Sequence, residues 1–200
     1  IRNGNGRAIK SKLWAANRVD KMEEPINTII WLMKDHTLPP VVKIKDSTLA
    51  SVMGACLATK RSSAEKLAEG VDANALVFEP YANPFRTYAL EQDFNKFKAL
   101  FKDRGVDCYI VNTGFFLDKK IPKEVTIGIL ESIIDETAKP VPFHKFKGME
   151  YMEVKGFEPD FKDNKYIDLV KGSIQNRINY VESLEDFKGG RDKLPKEAMD

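Results

Sequence analysis

Apolar residues recur every three or four positions in four stretches of the chain, a spacing that predicts amphipathic helices. In the clearest stretch Phe94, Phe97 and Phe101 share one face, and Gly105 follows at the position that commonly ends a helix. Pro122 suits the first turn of the third stretch. The predicted helices span residues 48–60, 90–104, 122–138 and 166–184.

Continuous apolar runs alternate with these helices and predict buried strands at residues 27–33 and 106–112, with a shorter extended piece at 76–81. A helix, a glycine, an apolar strand and a second helix in succession are typical of α/β proteins. We therefore predict an α/β fold with a mixed sheet and flanking helices. Little periodicity is present between residues 140 and 165, which predicts short strands along the surface.

The chain changes character near residue 140, and this change divides it into two predicted parts. Residues 1–140 form the main domain portion, and residues 141–200 form an extension with one long helix and a frayed tail. The first residues lack an initiator methionine and an apolar signal region, and they begin in a glycine-rich turn. They indicate that the chain is a piece of a longer protein.

The composition narrows the class of partner. Of the 200 residues, 42% are hydrophobic and 31% are charged, and the formal net charge is only +2. This charge is too small to indicate nucleic acid or an anionic membrane, and no apolar run reaches the about 20 residues that span a bilayer. Cys56 and Cys108 lie in apolar surroundings and are predicted to be buried thiols, which favours a reducing, cytoplasmic setting without a zinc site.

No complete catalytic motif occurs in the chain. The phosphate loop GxxxxGK[ST] is absent, as are GxGxxG, HExxH and GxSxG. His36 and His144 are isolated, and a lone histidine in a turn is more often a structural hydrogen-bond donor than a catalytic group. Candidate chemistry therefore has to come from polar residues at strand ends.

The strand at 106–112 ends in residues suited to holding a ligand. In open α/β sheets ligands bind at the carboxyl ends of the strands, where amides, hydroxyls and lysines supply hydrogen bonds and positive charge. A glycine lets a ligand approach the backbone, and the start of the next helix attracts anions. The alternative is a polar, solvated loop. The candidate residues are Asn112, Thr113, Gly114, Lys119, Lys120 and Thr126.

Five short motifs, counting the strand end and the lysines that follow it as one, resemble in the same order those of the ATP-dependent phosphoenolpyruvate carboxykinase family. Its strand end V-N-T-G is matched at residues 111–114, and its K-R-I followed by a threonine is matched by Lys119, Lys120, Ile121 and Thr126. The other four motifs lie upstream. Residues 5–7 resemble its N-T-R, and residues 27–40 resemble its I-I-F-L-T-x-D with L-P-P. Residues 58–60 with Glu65 resemble its T-A-K with a later glutamate, and residues 82–85 resemble its G-x-P-F. The resemblance covers residues 5–138.

This resemblance implies that residues 1–140 are the nucleotide-contacting, carboxy-terminal portion of a carboxykinase-like, ATP-dependent phosphotransferase or carboxy-lyase. Arg7 would contact the substrate or the γ-phosphate of ATP, because a guanidinium binds phosphate through two hydrogen bonds. Lys120, Ile121 and Thr126 would surround adenine and ribose. The implied partners are a nucleotide, a small-molecule substrate and the amino-terminal part of the same protein, which would hold Mg²⁺ or Mn²⁺. Without that part, the chain is expected to be inactive alone.

Two departures from the family's pattern leave other functions open. Residues 115–118 lack the family's glycines, and Lys120 replaces an arginine, so planar stacking on a base is lost. Phe115 and Phe116 either stack on a base instead or belong to the core. A non-catalytic binding or regulatory module on the same scaffold is therefore the alternative. A third hypothesis is a structural domain whose aromatic residues pack on a partner or on the missing part of the protein; these are Phe143, Phe146, Tyr151, Phe157 and Phe161.

Overall fold

The computed structural model of the protein describes residues 24–60, 69–70, 76–187 and 190–199. Within these ranges the strands are β1 Thr28–Met33, β2 Val41–Ile44, β3 Ala58–Lys60, β4 Leu76–Phe78, β5 Asp107–Asn112, β6 Phe115–Phe116, β7 Lys119–Lys120, β8 Pro140–Pro142, β9 Met149–Met152, β10 Asp186–Phe187 and β11 Gly190–Arg191. The helices are α1 Ser47–Ala55, α2 Leu90–Asp103, α3 Lys123–Ile134 and α4 Asn164–Glu182. Short 3-10 turns are present at Pro80–Ala82 and Lys196–Ala198.

Five of these strands form one mixed sheet in the order β1-β5-β2-β9-β8. β1 and β5 run parallel, and the other neighbours pair antiparallel. The predicted α/β class with a mixed sheet is therefore confirmed. The three predicted helices from residue 90 onwards are also confirmed, with slightly different ends. Of the described helices, none has both the length and the uninterrupted apolar sequence that crossing a bilayer requires.

The prediction of one helix over residues 48–60 is wrong at its end. Asp46 caps the start of α1, since its side chain accepts a hydrogen bond from the Leu49 N–H. The helix ends at Ala55. The next residues turn back, and Ala58–Lys60 forms a strand that pairs with β4. The pattern of apolar residues continues through this bend because Leu57, between α1 and β3, and Ala58 in β3 are both buried although neither belongs to the helix. Tertiary pairing therefore overrides helical spacing here.

The main core lies on one face of the sheet, where α1, α2 and α4 contribute apolar side chains. It includes Trp31 and Ile110 from the strands, and Phe143, Phe157 and Val170 from the part after residue 140. The prediction that residues 140–165 run along the surface is wrong, because Phe143 is 0% exposed and β8 and β9 extend the sheet. Both the sheet and the core thus continue across the predicted domain boundary.

The two cysteines are buried and carry free thiols, as predicted. Burial raises the pKa of both Cys56 and Cys108 to about 12, because the thiolate would lose its hydration. Neither side chain is therefore a reactive thiolate at neutral pH.

Gly54 in α1 provides a test of packing between α1 and the aromatic residues around it. A Cβ at this position would lie 2.7 Å from the rings of both Trp31 and Tyr81. We expect Gly54→Ala to lower the free energy of unfolding by about 1–3 kcal/mol, measured by urea denaturation, because the buried rings have to shift. Gly172→Ala in α4 is the matched control, since no atom lies within 4 Å of its new Cβ. An equal loss in both variants would contradict the packing explanation.

Candidate functional site

The parallel pairing of β1 and β5 brings two strand ends together. Met33, the last residue of β1, lies opposite Asn112, the last residue of β5. The Thr113 N–H donates to the Met33 carbonyl at 2.9 Å, and the Thr113 hydroxyl donates to the same oxygen at 3.3 Å. Lys34 and Gly114 follow side by side. We call residues 34, 113–115 and 120 the strand-end surface.

Asn112 lies beneath this surface and is completely buried. Its amide nitrogen donates to the carbonyl oxygens of Asp35 at 2.7 Å, Leu38 at 2.8 Å and Phe115 at 2.8 Å. Its amide oxygen accepts from the Gly114 N–H at 3.0 Å. The side chain is therefore fully used in fixing two loops, and it holds the strand-end surface in place instead of facing a ligand.

The β6–β7 hairpin forms the outer part of the site. In it Phe115 pairs with Lys120, and Phe116 pairs with Lys119. Leu117 in its turn has φ 54°, and its N–H donates to the backbone carbonyl of residue 36 at 2.7 Å. The Ile121 N–H donates to the carbonyl of residue 114 at 3.0 Å and closes the hairpin.

The two faces of the hairpin have different surroundings. On the inner face Phe116 packs edge-on against Tyr166, with 5.8 Å between ring centroids. Lys119 also has an internal partner, because its ammonium donates a hydrogen bond to the Gly156 carbonyl at 2.7 Å. It also lies 4.4 Å from the centroid of the Phe157 ring. On the outer face are Phe115 and Lys120, both exposed.

The structure brings some of the predicted site residues together and separates others. Thr113, Gly114 and Lys120 share the strand-end surface, whereas Asn112 and Ile121 are buried and serve the core. Thr126 lies in α3, half-buried, with its N–H donating to the Pro122 carbonyl at 3.3 Å. The predicted Arg7 lies outside the described residues, as do residues 5–7 and Glu65 of the matched motifs.

A buried ion pair behind this surface was not predicted from the sequence. The carboxylate of Asp35 accepts from the Arg177 guanidinium at 2.8 Å and from the Ser173 hydroxyl at 2.7 Å. Its other oxygen accepts from the Thr37 N–H and hydroxyl. Burial alone would raise the pKa of Asp35, but the Arg177 charge and these hydrogen bonds together hold it below its ordinary value.

This pair connects α4 to the strand-end surface through the turn at residues 35–38. The Asp35 carbonyl accepts from Asn112, and the Thr37 carbonyl accepts from the Tyr166 hydroxyl at 3.0 Å. A signal for the pair was present in the sequence. Arg177 follows Ile174 by three positions on the apolar side of α4, and a charge at such a position indicates a buried partner.

The histidines and acidic residues offer little for metal binding. In residues 24–60, 69–70, 76–187 and 190–199, no group of three or more His, Cys, Asp or Glu side chains is placed to hold a metal ion. His36 is exposed and contributes only its backbone carbonyl to the hairpin. His144 stacks on Phe161, with 5.2 Å between ring centroids.

The strand-end surface can thus supply positive charge, a hydroxyl and an aromatic ring to a ligand. Residues 111–114 and 119–121 meet at this surface. No protein-family model matches the chain, and no curated protein sequence matches it significantly.

Proposed function

We propose that the chain is the nucleotide-contacting, carboxy-terminal part of a carboxykinase-like, ATP-dependent phosphotransferase or carboxy-lyase. The observation that carries this proposal is the parallel pairing of β1 and β5, which brings Lys34, Thr113 and Gly114 to the same sheet edge. The carboxyl ends of parallel strands are where α/β proteins bind nucleotides. The nucleotide lies on this surface, with Lys120 beside it.

Charge and backbone geometry support an anionic ligand at this position. Lys34 and Lys120 both belong to the strand-end surface, and α3 begins at Lys123, three residues after Lys120 in the sequence. The first turn of a helix presents unpaired N–H groups and a partial positive charge, which favour phosphate. ATP with Mg²⁺ or Mn²⁺ is the cofactor that fits the proposal.

Catalysis requires residues beyond the strand-end surface. Phosphoryl transfer depends on a metal and on cationic groups that neutralise charge on the transferred phosphoryl group. In the proposal Arg7 supplies one such group, and the amino-terminal part of the protein holds the metal and a small-molecule substrate. The chain alone is therefore expected to bind a nucleotide without turning it over. Its buried, free cysteines are consistent with a cytoplasmic protein.

A binding or regulatory module without catalysis is the second candidate. It is favoured by the way in which Asn112, Lys119 and Ile121 are engaged in internal contacts. Asn112 and Lys119, which are candidates by their position at the strand end, and Ile121, which the resemblance places beside adenine or ribose, are thus already used by the fold. A module of this kind would keep the scaffold and bind nucleotide weakly or not at all.

Titration of the isotopically labelled chain with ATP and Mg²⁺, followed by amide chemical shifts, tests the proposal. We expect the largest shifts at Thr113, Gly114 and Lys120. Lys120→Ala should weaken ATP binding about fivefold, because one charge-assisted contact to phosphate is lost.

Lys102→Ala is the matched control. Lys102 is exposed near the end of α2, which leads into the amino-terminal end of β5, so it lies at the opposite end of the strand from the proposed site. ATP affinity should not change in this variant. The absence of ATP-dependent shifts in residues 113–126 at millimolar nucleotide would refute the proposal.

A further inference from the structure

Most polar groups around the strand-end surface already have partners within the protein. The Asn112 amide is fully used, and the Gly114 N–H and carbonyl are bonded to its oxygen and to a backbone N–H. The Leu117 N–H and the Lys119 ammonium each donate to a backbone carbonyl. These groups lie within four residues of Phe115 in the sequence. They cannot read the hydrogen-bonding edge of a base without first breaking an internal bond.

The cross-strand pair Phe115 and Lys120 presents a different kind of surface. Phe115 is 43% exposed, whereas its neighbour Phe116 is 5% exposed. Because side chains alternate along a strand, the hairpin has an inner face in the core and an outer face that carries this pair. The Lys120 ammonium lies 5.1 Å from the centroid of the Phe115 ring, within cation–π range.

The position of this pair distinguishes it from an ordinary exposed phenylalanine. Single apolar side chains on a protein surface need no explanation. Phe115, however, directly follows Gly114 at the joined ends of β1 and β5, and the Lys34 stem lies 3.4 Å from where a Cβ on Gly114 would be. An aromatic face and lysines therefore meet at the location where α/β proteins hold ligands.

We propose that Phe115 and Lys120 form a stacking platform that takes a nucleotide by the face of its base and by its phosphates, with little selection between purines. This inference rests on the proposed nucleotide-binding function and deepens it. The base stacks on the Phe115 ring in place of the ammonium, and Lys120 moves to the phosphates.

Weak selection between bases follows from the chemistry of the platform. Every base has an aromatic face, so stacking on a phenylalanine tolerates different bases. Discrimination between adenine and guanine requires hydrogen bonds to their different edges, and the adjacent backbone and amide groups are already paired. Attraction of an ammonium to phosphate is equally independent of the base.

The test compares ATP, GTP and inorganic tripolyphosphate on the 200-residue chain by calorimetric titration at low salt. We expect ATP and GTP to bind within about threefold of each other, because stacking dominates. Phe115→Ala should weaken both about tenfold and leave tripolyphosphate binding unchanged. Phe85→Ala is the matched control, since Phe85 is an exposed phenylalanine in the turn before α2.

Three results would overturn the inference. If Phe115→Ala binds ATP and GTP as tightly as the unaltered chain, the stacking platform is refuted, whereas the proposed nucleotide binding still stands. A preference for ATP over GTP of about a hundredfold would show that the edge of the base is read. If the unaltered chain binds neither nucleotide, the proposed function fails and the platform fails with it.

Discussion

Arg177→Met is expected to lower the free energy of unfolding by about 3–5 kcal/mol, because it leaves the buried Asp35 carboxylate without its counter-charge. Asp35 is 1% exposed and Arg177 is 4% exposed, so water cannot replace the lost partner. Ser173 and Thr37 would still donate to the carboxylate, but neutral donors do not balance a full charge. Urea denaturation at neutral pH measures the loss.

Two further variants separate the ion pair from simple loss of packing. In the double variant Asp35→Asn, Arg177→Met no unpaired charge is buried. We expect it to regain most of the stability that Arg177→Met alone loses. Arg104→Met is the matched control, since Arg104 is exposed at the end of α2. A loss below about 1 kcal/mol in Arg177→Met would place the pair among ordinary surface ion pairs and contradict the expectation.

The pH dependence of these variants gives an independent check with a defined sign. In the unaltered protein the pKa of Asp35 lies below its ordinary value of 3.8, so the pair contributes stability above that pH and loses it as pH falls through the folded pKa. Without Arg177, we expect burial to outweigh the remaining hydrogen bonds and to raise the Asp35 pKa above its unfolded value. The stability lost in Arg177→Met should therefore shrink as the pH is lowered from 7 towards 4, because the buried carboxyl becomes neutral.

The parts of the fold that could be predicted are those that its local pattern determines. β1 and β5 are continuous apolar runs, and α2 has one clear apolar face that ends before Gly105. β2 was missed because its four residues follow two prolines and are too short to show a period. It is placed in the sheet by pairing with β5 and β9, which are far away in the sequence.

The sequence grouped the candidate residues correctly in part, but it did not give their roles. The strand end and the lysines after it were assigned to one candidate site, and residues 113, 114 and 120 do share a surface, but the β6–β7 hairpin that brings Lys120 there was not predicted. Residue type alone could not show that Asn112 is buried by the turn at 35–38, or that Lys119 is bound to the Gly156 carbonyl. These partners are distant in sequence, so the internal use of a polar residue becomes visible only in three dimensions. The Asp35–Arg177 pair was missed for the same reason.

Asn112→Asp provides the sharpest test of whether residue 112 supports the surface or binds the ligand. The substitution keeps the shape of the side chain but replaces an amide donor with a group that, when ionised, only accepts. Three carbonyl oxygens that now receive the amide hydrogens would instead face a carboxylate. We expect the free energy of unfolding to fall by about 3–5 kcal/mol at neutral pH, because the carboxyl must be buried as a charge or take up a proton.

The sign of the pH dependence follows from a folded pKa that is raised above the unfolded value of about 3.9. The stability of Asn112→Asp is greatest below that value, where the neutral acid donates one hydrogen bond, and it is lost as pH rises through the folded pKa. Asn95→Asp, at an exposed position in α2, should show little change over the same range. If residue 112 instead faced a ligand in an open site, Asn112→Asp would unfold like the unaltered protein and lose nucleotide affinity through charge repulsion alone.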